Sequence, residues 1–196
     1  MREIRSAKEI ALDKINKIEE ITAEDRLRWK FVPLGEKLAQ RYLAEEVDLE
    51  TELASYNSEE LRHIKPAMVP ILVAALDIPR TESIAQQNQK ISAAVMTLKD
   101  DQEAVADLLG QLQQLYDHYT SVGEQQKQQA YQGYKANFEN RIRQTVKEQQ
   151  GVEYSGQINV EQYPQFQEEW RRVSSQYDRQ YLNSMDHIKK QLLERS

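Results

Sequence analysis

The chain has 196 residues, 39 % hydrophobic and 30 % charged, with six glycines, five prolines and no cysteine. That balance favours helix over strand, and the missing thiol excludes disulfides, thiolate metal sites and cysteine nucleophiles. A net charge of −6 opposes a polyanion's field, so DNA and RNA are not expected partners.

The opening "MREIRSAKEIALDKINKIEE" mixes charges with apolar residues and lacks the continuous apolar stretch of a signal peptide. Ile4, Ala7, Ala11, Ile15 and Ile18 recur at steps of three and four, which predicts a helix over Arg2–Glu20. Thr22 reads as the next N-cap, with Asp25 three residues on as a weaker form of the capping box. The helix carrying Leu27, Trp29 and Phe31 then meets Pro33, and a kink or short break is expected there before it resumes through Leu38, Tyr42 and Leu43.

Asp48 is the expected cap of a short helix, and Asn57 or Ser58 that of the next. Pro66 suits the first turn of a new helix and Pro70 predicts a bend. "MVPILVAAL", Met68 to Leu76, is the longest apolar run and far too short for a membrane span. It reads as the buried heart of an N-terminal helical subdomain over residues 1–80. Pro79 ends that element and Thr81 caps the following one.

From Glu82 the pattern changes. Ile91, Val95, Leu98, Gln102, Val105, Leu109, Leu112, Tyr116 and Tyr119 step by four and three, a heptad seam with one polar member, Gln102. The phase survives "KDDQ" at 99–102, so the helix is expected to run through it. It does not survive Gly123, because continuing it would bury Gly123, Gln126, Ala130 and Gly133. A new stripe starts at Tyr131 and continues through Tyr134, Phe138, Ile142 and Val146. Either the chain breaks near 120–124, where Ser121 and Glu124 have capping-box spacing, or one long helix changes phase there.

Residues 151–164 read as a loop, with Pro164 opening the last helix. That helix carries Phe166, Trp170, Val173, Tyr177, Tyr181, Met185, Ile188 and Leu192, again at steps of three and four. The arrangement expected for 81–196 is a long, coiled-coil-like antiparallel helical hairpin. In it Tyr131, Tyr134 and Phe138 face Trp170, Tyr177 and Tyr181, with the many glutamines outside. Lys127, Lys135, Arg141, Arg143 and Lys147 do not make this a nucleic-acid strip, because Glu124, Glu139 and Glu148 dilute them. The 91–119 seam needs a cover, either the N-terminal helices or a second copy of the chain.

No catalytic constellation is recognisable. "EELRH" puts Glu60 and His63 at the spacing of di-iron bundles, but no second motif accompanies it among the three histidines. Asp117–His118 and Asp186–His187 are neighbours, and neighbours on a helix point about 100° apart, so they form no acid–base dyad. No Gly-x-Ser-x-Gly, phosphate-binding loop or dinucleotide fingerprint occurs. No catalytic residue, metal or cofactor is expected.

The stretch from Ser6 to Leu43, "SAKEIALDKINKIEEITAEDRLRWKFVPLGEKLAQRYL", resembles the N-terminus of an uncharacterised family of bacterial all-helical proteins of about this length, a domain of unknown function. "IPR" after an apolar helix and "YPQFQEEW" before the last helix are similar to that family too. The resemblance covers most of the chain, implies no known activity and carries over no functional residue.

The expectation is therefore an all-α, non-enzymatic cytoplasmic interaction or scaffold protein that self-associates through the 91–119 seam. Its partner would be a second copy or another protein. Neither nucleic acid nor membrane is expected, and no motif supports a small-molecule ligand. The alternative is a helical binding module holding a small apolar ligand or a partner helix in an aromatic groove.

Overall fold

The computed structural model describes residues 22–195. The helix expected over Arg2–Glu20 lies outside the described residues. Among the described residues the secondary structure is helix and turn, with no strand.

Helix α1 (Ala23–Leu43) starts from a complete capping box. Thr22 Oγ1 accepts from the Asp25 backbone N–H at 3.1 Å, and Asp25 Oδ2 accepts from the Thr22 N–H at 3.1 Å. The break expected at Pro33 does not occur. Pro33 lies inside α1 and is exposed, so the backbone carbonyl it leaves without an N–H partner faces water. Two residues on, Gly35 is buried, and a Cβ there would stand 2.5 Å from the Ile64 carbonyl oxygen. The absence of a side chain is what lets α1 lie backbone to backbone on the helix that carries Ile64. The end of α1 is a Schellman motif: Glu46 N–H donates to Arg41 O at 2.9 Å and Glu45 N–H to Tyr42 O at 3.1 Å. Glu45 occupies the left-handed position (φ 59°) where glycine is usual, and its carboxylate is held by Lys90 at 2.8 Å.

Asp48 caps the short α2 (Leu49–Leu53), accepting from the Thr51 N–H at 2.9 Å. Helix α3 (Ser58–Ala75) is capped by Asn57, and Glu60 returns a bond to the Asn57 N–H at 3.1 Å. It runs unbroken through Pro66 and Pro70, so the new helix expected at Pro66 is not found. Both prolines are exposed, while Ile64, Met68 and Leu72 bury the opposite face. Packing on that face outweighs the local penalty.

Thr81 caps α4 (Glu82–Leu98), accepting from the Ile84 N–H at 3.3 Å. The continuous helix expected through 99–102 is interrupted: Lys99 is extended and Asp101 caps α5 (Gln102–His118) by accepting from the Ala104 N–H at 3.2 Å. The apolar rhythm crosses the break because Leu98 and Val105 enter the same core from two separate helices. Gln102 is exposed and holds no seam position.

At residue 120 the second alternative holds. A π-helical turn (Tyr119–Gly123) joins α5 to α6 (Glu124–Gln150) without a break, and the Glu124 N–H bonds to Tyr119 O, five residues back. Ser121 does not cap. Its hydroxyl donates to Asp117 O at 2.6 Å, and the Thr120 hydroxyl donates to Tyr116 O at 3.1 Å. Gly151, at φ 68°, ends α6. After a loop with a short 3₁₀ turn (Val160–Gln162), α7 (Pro164–Glu194) opens on its proline.

The main core draws on α1 to α5 and on the C-terminal half of α7, through Met185, Ile188 and Leu192. This core has members on both sides of residue 80, and the seam of α4 and α5 finds its cover on α3 and α7. A second, smaller core of Phe138, Ile158, Val160 and Phe166 lies where α6 and α7 extend together as an arm. α6 has 27 residues, about 40 Å at 1.5 Å each. Lys189 ties α7 to the body by donating to the carbonyls of Ala74 and Leu76 at the end of α3, a cation on a helix C-terminus.

Candidate functional site

The nine-residue seam is spent inside the molecule. Ile91, Val95, Leu98, Val105, Leu112, Tyr116 and Tyr119 are buried, Leu109 is half-buried and packs against the main core, and Gln102 faces water. In this fold the face expected to bind a second copy is not available to one. Heptad spacing reports a buried stripe and says nothing about which chain buries it.

The aromatic stripe pairs as far as Trp170. Tyr131 meets Phe166 (ring centroids 5.9 Å) and Trp170 (5.0 Å). Tyr134 lies 5.4 Å from Phe166, and Phe138 sits between Phe166 and Tyr163. Further along, Tyr119 meets Tyr181 and Tyr116 meets Met185, so each step up one helix is a step down the other and the pair is antiparallel. Two of the expected partners lie elsewhere. Tyr181 meets Tyr119 edge to face at 5.1 Å, and Tyr177 lines a shallow cleft with Gln126 and Val173. Along this part of the arm the aromatic rings pack on one another.

Between the main core and the arm lies a cluster that the sequence reading missed. Asp178, on α7, is 7 % exposed. Its Oδ2 accepts from Arg80 Nε at 3.3 Å, and its Oδ1 accepts from Tyr119 OH at 3.2 Å and Lys127 Nζ at 3.3 Å. The three donors come from the α3–α4 link, the π turn and α6. Arg80 also bonds Asp77 at 3.2 Å, and Asp77 is fixed in turn by Asn88, whose amide donates to the Asp77 carbonyl at 2.6 Å. His118 Nδ1 lies 2.9 Å from Tyr181 OH, and a Cβ on Gly123 would meet that same hydroxyl at 2.9 Å.

A signal for this cluster was present. Asp178, Tyr181, Met185, Ile188 and Leu192 step by three and four, so an acid heads a buried stripe and requires cations opposite it. Burial pushes the Tyr119 phenol well above its ordinary range, and the nearby Glu124 and Asp178 carboxylates add to that. Partial burial works against the Arg80 charge, but Asp77 and Asp178 hold it above its ordinary value. Both Asp178 oxygens are engaged and the phenol keeps its proton, so the cluster acts chemically as a clamp. It fixes the arm to the body.

The remaining titratable residues have local duties. The Glu60 carboxylate is taken by the α3 capping box, which accounts for its spacing from His63. Asp117 Oδ1 accepts from the Gln113 amide at 2.8 Å. No group of three or more histidines or carboxylates gathers in metal-binding geometry among the described residues.

Two tyrosines that donate to ion-paired glutamates close the arm. Tyr131 OH donates to Glu161 at 2.7 Å, with Lys135 on the same oxygen at 3.0 Å. Tyr134 OH donates to Glu169, which Arg141 also holds at 2.9 Å. At the tip, Val152, Tyr154 and Tyr163 are 62 %, 47 % and 41 % exposed.

A family model described as a family of unknown function (DUF6657) matches residues 50–194, from α2 to the end of α7. No curated protein and no solved structure matches the chain. No helix among the described residues is long and apolar enough to cross a membrane.

Proposed function

This chain belongs to the family of unknown function DUF6657, and we propose that it is a non-enzymatic cytoplasmic interaction protein that meets a protein partner through its α6–α7 arm. One observation carries the reading. The arm has a core of its own and is clamped to the body by Asp178, yet its tip holds three large side chains in water. Tyrosine is a residue of interfaces, with an apolar ring and a polar end that tolerate both water and a partner. Glutamine covers the outer face of α6 with good helix formers that leave it soluble. The partner is a second copy or another protein, met at the tip and not through the 91–119 seam.

The test is site-specific photocrosslinking in cells. A photoreactive residue replaces Tyr154 at the tip, Gln132 on the arm, or Glu36 on the body. One discrete adduct from the tip, absent from the body position, supports the proposal, and its mass tells a second copy from another protein. No adduct from the tip, or the same adducts from all three positions, refutes it.

A further inference from the structure

A groove of about 720 Å³ runs between α3, the α4–α5 link and the C-terminal end of α7. It is separate from the arm and does not depend on the reading of the arm. Its apolar lining includes Leu61, Val69 and Leu98, with Leu193 45 % exposed at the edge. Among the described residues Arg62, Lys65, Lys99 and Arg195 line it against two acids, Asp100 and Glu194, with the Lys99 ammonium donating to the Arg195 carbonyl. In a chain of net charge −6 that local excess runs against the average and favours an anionic occupant.

The groove has a further property that follows from its prolines. Pro66 and Pro70 both line it, and neither has a backbone N–H. The helical bonds that would reach the carbonyls of Arg62 and Pro66, four residues earlier, cannot form. The α3 wall therefore offers acceptors that want N–H donors, beside side chains that want carboxylates. A fatty acid would satisfy the cations and the apolar floor but brings no N–H. The first turn of a helix brings all three, since its N–H groups are free and acidic residues are favoured there.

We infer that this groove docks the acidic N-terminal turn of an amphipathic helix from a partner protein. Apolar side chains of that helix lie on Leu61, Val69 and Leu193, its carboxylates meet Arg62 and Arg195, and its free N–H groups meet the α3 carbonyls.

The test uses the full chain and a short labelled synthetic helix with leucines on one face and glutamates in its first turn, followed by fluorescence anisotropy. The expected result is saturable binding that weakens with salt, with no binding of the same helix carrying lysines in place of the glutamates. Arg62 and Arg195 are exposed, so Arg62→Glu with Arg195→Glu should weaken binding about tenfold at an unchanged melting temperature. Leu193→Gln should weaken it without changing the salt dependence. Equal binding of both helices, no binding of either, or displacement of the glutamate helix by dodecanoate at equal molar ratio would each overturn the inference, the last in favour of a lipid anion.

Discussion

Replacing Gly35 by alanine tests how closely α1 lies on α3. In an exposed helix interior the change is favourable by about 1 kcal/mol, because glycine loses more backbone freedom on folding. Here the added Cβ would stand 2.5 Å from the Ile64 carbonyl oxygen, 3.0 Å from Ala67 Cβ and 3.1 Å from Ile64 Cα. An ordinary carbon–oxygen contact is about 3.3–3.6 Å, so the helices must part by roughly 1 Å. The nearest atom belongs to a backbone and cannot swing aside, which puts the strain near the top of the range for overpacking, about 3 kcal/mol. The net expectation is a loss of about 2 kcal/mol. Gly110 and Gly133 are the controls. Both are exposed within helices, and a Cβ at either meets nothing within 4 Å. Gly110→Ala and Gly133→Ala should each raise stability by up to about 1 kcal/mol. Urea unfolding midpoints at constant slope measure all three. A Gly35→Ala midpoint that rises like those of the controls would refute the close α1–α3 approach.

Asp178→Ala leaves Arg80 and Lys127 facing each other without their carboxylate. It should cost about 2–4 kcal/mol in urea unfolding, near the lower end for a buried pair because Arg80 is partly exposed; a loss under about 0.5 kcal/mol would mean the cluster is a surface ion pair. Bonds from Tyr131 and Lys135 hold Glu161, and bonds from Tyr134 and Arg141 hold Glu169, below the usual carboxylate range. Their folded values lie under the unfolded value of about 4.3, so they steady the arm above that pH and stop doing so as pH falls through the folded values. In a Trp29→Phe variant, Trp170 fluorescence should therefore report the arm loosening in acid before the helical signal of the body is lost; simultaneous loss counts against a separately cored arm. Burial raises the Tyr116 phenol above its ordinary value, with Asp77 contributing, and burial likewise raises Tyr119. Above about pH 10 the unfolded chain releases these protons first, so stability should fall by at most about 1.4 kcal/mol per tyrosine per pH unit. Thermal melts of Tyr116→Phe should show a shallower alkaline decline, and an unchanged slope would contradict it.

The helical class and most helix starts were legible because they are local. Thr22, Asp48 and Thr81 cap by bonding to an N–H three residues on, within reach of a sequence pattern. The seam residues were legible as buried, but what covers them was not, since α3 and the far end of α7 are distant in sequence. Proline misled for a related reason. Pro33, Pro66 and Pro70 each weaken a helix locally, yet tertiary burial of the opposite face holds α1 and α3 together. The link at 99–101 was hidden by a rhythm that two separate helices happen to share. The clamp was readable only as an acid out of place at Asp178. Its donors, Arg80, Tyr119 and Lys127, come from three segments that no spacing rule connects.

The π turn explains the change of phase at Gly123 and allows a sharper test. Gly123 is buried against Tyr181 within the turn, and an α-helix continued from Tyr119 would go on to turn Gln126, Ala130 and Gly133 inward. One inserted residue rotates everything after it by about 100°, and the inward positions become Lys127, Tyr131, Tyr134 and, a turn further, Phe138. Those are the side chains that meet Asp178, Trp170 and Phe166. The insertion thus creates both the aromatic seam of the arm and the cation of the clamp. Deleting Val122, a member of the turn that is 36 % exposed, should convert it to ordinary α-helix and keep the same residues facing α7. Deleting Gln128, which is also exposed, lies beyond the turn and should rotate Tyr131, Tyr134 and Phe138 out of the seam. Loss of the Phe138 contacts alone would cost about 3–5 kcal/mol. Trp170 fluorescence and protease resistance of the arm distinguish the two deletions. If the Val122 deletion disrupts the arm as thoroughly as the Gln128 deletion, the turn is not a register device, and its five-residue hydrogen bond must serve something that depends on its own geometry.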